Sequence, residues 1–241
     1  MVLALAMQKG GSGKTTTAAA LAQAAEADGK KVLCIDLDPQ GNFTFSMGAK
    51  TTGTGIMQFL SGSNHYLHIV SPRVDIIPSH EDLQGISMQP GAALKLGEAL
   101  LPIKEKYDLV IIDTPPTAGV LQYSALQAAD KVIIPTIADA YSLQSLYQIA
   151  ETIKEVKISN KRLKVAGVIV TQYDRRSVLA RDMCESIEET ARDMGIPFLG
   201  TIRSGVAVKE AAALRKSLYE YAPKSNPAQD YKQVYAQIIR G

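Results

Sequence analysis

The stretch Gln8–Thr17, QKGGSGKTTT, decides the fold. A glycine-rich run ending in Gly-Lys-Thr shapes a phosphate cradle. Gly10, Gly11 and Gly13 let the backbone turn sharply and aim its N–H groups inward at phosphate oxygens. Lys14 supplies charge for the β- and γ-phosphates, and the Thr15 hydroxyl is the expected Mg²⁺ ligand. The motif needs a strand before it and a helix after it. VLALAM (2–7) precedes it, and TTTAAALAQAAEADG, closing on Gly29, follows, so a helix N-terminus adds a favourable dipole. Gly10, Gly11, Ser12, Gly13, Lys14 and Thr15 are therefore the candidate nucleotide-binding residues of the loop. Two features depart from G-x-x-x-x-G-K-[ST]. Gln8 stands where the first glycine belongs, and a second lysine, Lys9, lies five residues before Lys14.

Outward from this loop, short apolar runs alternate with longer amphipathic stretches. KVLCIDLD (31–38), VDIIP (74–78), DLVIID (108–113), KVIIPT (131–136), KVAGVIVT (164–171) and PFLGTI (197–202) read as further strands. SALQAAD, YSLQSLYQIAETIKEV and SVLARDMCESIEETARDMG read as helices. Residues 41–66 are rich in Gly, Ser and Thr, which predicts loops and a short helix. Near-continuous apolar strands alternating with helices predict an α/β fold, a mostly parallel sheet covered on both faces. One domain spanning 1–241, with no room for an N-terminal helix-turn-helix domain, is the simplest account.

Two acidic segments join the loop. DLVIIDTPP places Asp113 at the C-terminal tip of a buried strand, the edge that faces ligands in open α/β sheets, where a carboxylate can hold Mg²⁺ through water. In CIDLDPQGN, Asp36 and Asp38 alternate with Leu37 and so point the same way from a strand end. Two like charges at close range are costly unless a cation or a polarised water uses them.

Composition excludes several classes. Hydrophobic residues make up 46% and charged residues 21% of 241, as in ordinary globular proteins. No apolar run approaches the ~20 residues of a membrane span. The two cysteines, Cys34 and Cys184, show no metal-ligand spacing and are expected to be reduced and buried. Residues 1–120 carry nine Lys/Arg against eleven Asp/Glu, and residues 121–241 seventeen against thirteen, so the C-terminal half is the positive one.

Taken together, KGGSGKTT, DLDPQGN and IIDTPP resemble the ParA/MinD group of deviant-P-loop ATPases, and most closely the short ParA-type partition ATPases. VDIIPS, SALQAADKVIIP, VTQYDRR and the tail with YEYAPKS extend the likeness over nearly the whole chain. The resemblance implies a cytoplasmic, nucleoid-associated, Mg²⁺-dependent ATPase. It would form an ATP-sandwich homodimer, bind DNA without sequence preference and position a DNA cargo with a ParB-like centromere-binding adaptor that stimulates hydrolysis. It also gives roles to residues. Lys9 matches the signature lysine that reaches the partner's phosphates, which accounts for the second cation. Asp38 matches the aspartate that positions the attacking water, Asp36 a carboxylate near Mg²⁺, and Thr16 an α-phosphate contact. The pattern is not matched everywhere. Met7 replaces a common Asn, IADAYSLQSL replaces a commoner segment, and Thr171 and Gln172 stand where many relatives use Asn near the base. No N/T-K-x-D guanine signature is present, which favours adenine.

The alternative is a MinD-like membrane-positioning ATPase, which would end in a basic amphipathic helix. In DYKQVYAQIIRG, Tyr231, Val234, Tyr235, Ile238 and Ile239 fall at helical spacing, but only Lys232 and Arg240 are cationic. A helix docked on the core, with no stable membrane association, is the simpler expectation. Electron transfer of the nitrogenase iron-protein kind needs cysteine pairs bridging a cluster, and Cys34 and Cys184 sit in a strand and a helix. Tyrosine autokinase relatives want a C-terminal tyrosine run that is not here. For DNA, the candidates are Arg203, Lys209, Arg215 and Lys216, since basic residues in this half bind DNA in ParA-type relatives. Arg203 matches an arginine of the family's Ile-Pro-Arg segment, although the proline is absent.

Overall fold

The computed structural model describes residues 1–50, 55–63, 66–86 and 91–240. The first half runs β1 (Val2–Leu5), α1 (Lys14–Ala27), β2 (Val32–Asp36), α2 (Asn42–Ser46), α3 (Ile56–Leu60), β3 (His68–Ser71), β4 (Val74–Ile77), α4 (Leu83–Ile86), α5 (Ala92–Leu100) and β5 (Leu109–Asp113). The second half runs α6 (Val120–Ala128), β6 (Lys131–Ile137), α7 (Ser142–Ser159), β7 (Lys164–Tyr173), α8 (Val178–Asp193), β8 (Phe198–Arg203), α9 (Val206–Ala213), α10 (Leu218–Tyr221) and α11 (Asn226–Arg240).

Eight strands form one sheet in the order β3-β4-β2-β5-β1-β6-β7-β8. Every pairing is parallel except β3–β4. The expected α/β architecture is therefore present. The one strand the sequence did not announce is β3, an antiparallel edge. Its HIVS is largely exposed, so it lacks the apolar run that marks the buried strands. Of the segment expected to hold loops and a short helix, α2 and α3 are helical, while 51–54 and 64–65 lie outside the described residues.

Alternation along the strands fills two cores. Leu33, Ile35, Val110 and Ile112 face a layer containing Leu96, Leu121, Leu146 and Ile187 from α5–α8. Val32, Cys34, Leu109 and Ile111 face the other layer, with α1 alanines and Tyr231, Val234 and Ile238 of α11. A strand buried on both faces must be apolar throughout, hence VLAL and LVIID. The apolar stripe of α11 is spent on α1 and β8, as the docked reading expects, and only Ile239 is left 43% exposed. Among the described residues no helix is long and apolar enough to cross a membrane.

Candidate functional site

Strand order places the site. The chain leaves β1 for β2 on one side and, through β5, reaches β6 on the other, so β1 sits at the switch point where such sheets bind ligands. Register brings the carboxylates together: Leu5 lies opposite Asp113, and Asp113 opposite Asp36, all at strand C-terminal ends.

The glycine loop links β1 to α1. Gly11 and Gly13 adopt φ of 71° and 85°, the left-handed region that glycine enters without strain. Gly13 caps α1, and a Cβ there would stand 2.9 Å from Thr171 Oγ1. Gly10 has open space around it and no left-handed φ, so packing does not explain its glycine. The loop is tied down by residues distant in sequence. Thr171 Oγ1 donates to the Ser12 carbonyl at 2.9 Å, and Gln172 Nε2 to the Gly11 carbonyl at 2.8 Å. Gln172 itself is left-handed, with φ 55°. Gln8, the departure from the glycine pattern, uses its side chain as an anchor: Nε2 donates to Thr152 Oγ1 at 2.8 Å and Gln122 Oε1 at 3.2 Å.

Thr15 Oγ1 donates to Asp113 Oδ2 at 2.6 Å. The other Asp113 oxygen is buried without a hydrogen-bond partner among the described residues, as is Ser12 Oγ. Burial, then the charge of Asp36, pushes the Asp113 carboxyl up to about 8, against the Thr15 bond and Lys14. Lys14 is buried, and its Nζ donates to the Lys9 carbonyl at 3.1 Å. Burial lowers its pKa, opposed by Asp113 and Asp38. A buried cation, and a buried carboxylate bonded to a hydroxyl, form a site suited to a phosphate–metal pair: the metal would take Thr15 and Asp113, the phosphates Lys14 and the loop N–H groups.

Asp38 and Asp36 are separated by the fold. Asp38 borders the cavity, and its loop is fixed by Gln40 N to Asp38 Oδ1 at 3.0 Å and by Ser79 Oγ to the Asp38 carbonyl. Like Asp113, Asp36 is not among the residues that line the cavity. Its oxygens accept from Thr44 N and Thr44 Oγ1, both at 2.8 Å, and from Asp38 N at 3.1 Å. Burial still raises its carboxyl to about 6, with the Thr44 bonds acting the other way. Asp36 thus organises the 38–44 loop.

Lys9 is turned to its own chain. Its Nζ reaches both carboxylate oxygens of Asp139, stands 3.4 Å from Ser142 Oγ and lies 5.9 Å above the Tyr141 ring. Burial would raise the Asp139 carboxyl, but hydrogen bonds from Lys9 and Ser142 outweigh it and hold it below the usual range.

The cavity measures about 530 Å³ and runs from the glycine loop, past Thr16 and Asp38, to a far wall of Ile202, Gly205 and Val208. Two of the expected DNA residues, Arg203 and Lys209, line that wall. Arg203 is also not a free cation: Nε and Nη2 bond Asp230 at 2.9 and 2.6 Å. Arg215 lies 4.3 Å over the Phe45 ring, and Lys216 is exposed. Thr171, Gln172, Asp139 and Phe45 were not among the predicted site residues. Thr171 and Gln172 carried a signal, as a departure beside the base position, and Asp139 lies within the departing segment IADAYSLQSL.

Two family models match the chain: the AAA domain (AAA_31) over residues 1–165, and 4Fe-4S iron sulfur cluster binding proteins of the NifH/frxC family over 106–241. An iron–sulfur cluster does not fit the second match. The chain has two cysteines, both buried, one in β2 and one in α8, and burial raises both thiols. The chromosome-partitioning ATPase Soj of Thermus thermophilus is 36% identical over 98% of this chain and 94% of its own. The chromosome partitioning protein ParA of Caulobacter vibrioides is 35% identical over 99% and 93%. A cobyrinic acid a,c-diamide synthase from Mycobacterium smegmatis, solved with ADP and magnesium, superposes with a TM-score of 0.84 at 32% identity, over 99% of this chain and 94% of that one. With the phosphate loop, Asp38 and Asp113 assembled at the switch point and this identity sustained over almost the full length, the chain belongs to the Soj/ParA family of P-loop partitioning ATPases.

Proposed function

We propose that residues 1–241 act as one ATP-hydrolysing unit that pairs with a second copy on ATP, binds DNA without sequence preference and positions a DNA cargo with an adaptor protein. The observation that carries the reading is the Thr15–Asp113 hydrogen bond beside buried Lys14, a ready metal and phosphate site. Bound Mg²⁺ would screen the charge on the β- and γ-phosphates. This chain's residues supply the rest. Lys14 and the loop N–H groups hold the phosphates, Thr16 lies along the cavity where the α-phosphate would run, and Asp38 orients the attacking water from the loop opposite. Lys9, once released from Asp139, delivers a cation to the partner's site, in the manner of an arginine finger. Such a group acts on the transition state and contributes to turnover more than to binding.

For DNA, Lys209, Arg215 and Lys216 on and after α9 form the basic edge, and Arg203 contributes structure instead. A dimer joins two edges and steepens salt dependence, because each phosphate contact releases counterions. Partner proteins, nucleoid association and a cytoplasmic location follow from the same family reading. The buried stripe of α11 argues against the membrane-positioning alternative. The synthase likeness is tested by turnover without an acceptor: a partition ATPase releases phosphate from ATP alone.

Polarisation titrations against random duplexes with ATP, ADP or no nucleotide, at several salt concentrations, test the proposal alongside sedimentation. Dimerisation and tight, sequence-independent binding with ATP alone are expected. Binding that ignores nucleotide, or a monomer with Mg²⁺-ATP, would contradict it.

A further inference from the structure

Helix α9 ends in an arginine held in a conformation that glycine normally takes. Arg215 N donates to the Ala212 carbonyl at 3.1 Å and Lys216 N to the Ala211 carbonyl at 2.9 Å, the paired bonds of a Schellman stop. Arg215 occupies its left-handed position, with φ 52°. A side chain there is unfavourable, and the observed outlier asks what the arginine does. Its guanidinium lies 4.3 Å over the ring of Phe45. Phe45 belongs to α2, a single turn and a half that directly follows the Asp38 loop. It is 46% exposed, and the arginine covers its ring.

The two elements joined by this stack both begin at the nucleotide cavity. The first turn of α9 contributes Val208 and Lys209 to the cavity wall, and α2 is preceded by Asp38 and Gln40 on the opposite wall. Within the 38–46 segment, Gly41 N bonds the Asp38 carbonyl at 2.9 Å, and Thr44 bonds Asp36. A displacement of α2 is thus felt at Asp38. The core holds this segment through Phe43, whereas its outer side is held by Arg215.

We propose that Arg215 is a positioning residue for ATP hydrolysis: by stacking on Phe45 it clamps α9 to α2 and fixes the loop that carries Asp38. Neither residue of the clamp lines the cavity. The clamp stabilises the geometry the attacking water needs and leaves phosphate binding to the glycine loop.

The test is ATP turnover under Mg²⁺ without any nucleic acid, so failure of the DNA proposal leaves it unaffected. Arg215→Gly is the informative variant, because glycine relieves the left-handed backbone and the protein should melt no lower than the parent. A purely structural arginine predicts unchanged or better turnover. The clamp predicts kcat lowered about two- to fivefold, from the strength of an exposed cation–π contact, with KM for ATP unchanged. Phe45→Leu should give the same loss, the double variant no further loss, and Arg215→Lys and Phe45→Tyr substantial retention. Unchanged kcat in Arg215→Gly, multiplicative losses in the double variant, or an effect confined to KM would each overturn the proposal.

Discussion

Lys9 and Asp139 are bound to each other across 130 residues of chain, with the lysine Nζ against both carboxylate oxygens. The contact joins the phosphate loop to the segment between β6 and α7, and it keeps in cis the cation that the proposed dimer needs in trans. Asp139→Asn removes the charge that holds it. The concentration for half-maximal ATP-dependent dimerisation should fall a few-fold, as the loss of a partly exposed ion pair of about 0.2–1 kcal/mol allows. Analytical ultracentrifugation reads it. A variant that dimerises less readily than the parent would show that Asp139 helps the dimer instead of competing with it.

Nucleotide-free stability should depend on pH through Asp113. Its carboxyl is raised from an ordinary 3.8 to about 8, first by burial. A carboxyl raised in the folded state is protonated there while the unfolded chain has already ionised. Its contribution is full below about pH 4 and is lost as pH rises through 8. Asp36, raised to about 6, has the same sign. Melting temperature in chelator should therefore decline from mildly acidic pH towards pH 8, and Asp113→Asn should flatten the decline. A parent whose stability rises over that interval would contradict the assignment.

Gly13→Ala places a Cβ 2.9 Å from Thr171 Oγ1 at a residue with φ of 85°. Strain in both backbone and contact should lower stability by more than about 1 kcal/mol and abolish nucleotide binding. Calorimetric titration with ATP checks it; parental affinity would mean that the loop adapts.

Arg203 and Lys216 should part company on substitution. Arg203→Ala leaves the buried Asp230 carboxylate without its cation and should cost about 1–3 kcal/mol of stability. Lys216→Ala should leave the melting temperature unchanged while lowering the slope of log DNA affinity against log salt by about one. Equal melting temperatures for the two variants would undo the distinction.

What the sequence disclosed was what is local in it. Runs such as LVIID are buried on both faces and betray their strands, and the phosphate loop, Asp38 and Asp113 each belong to a contiguous signature. β3 escaped because Ile69 is 74% exposed on an edge. The partners of the site residues escaped for a different reason: Thr171 with Ser12, Gln172 with Gly11 and Asp139 with Lys9 meet only after the sheet is assembled. Counting charge also misled. Arg203 reads as a surface cation until Asp230, 27 residues later, folds beside it. Asp36 reads as a twin of Asp38 until Thr44 claims its oxygens.

Comparison of Lys14→Ala with Asp38→Ala, in ATP binding and in single-turnover hydrolysis, tests the central claim most directly. Lys14 is the buried cation of the phosphate site, and Asp38 borders the cavity without belonging to the phosphate loop. The Lys14 variant should fail to bind ATP. The Asp38 variant should bind it with parental affinity, lose turnover by about 100-fold or more, and accumulate as a nucleotide-bound dimer. Parental turnover by Asp38→Ala, or parental ATP affinity in Lys14→Ala, would contradict the account.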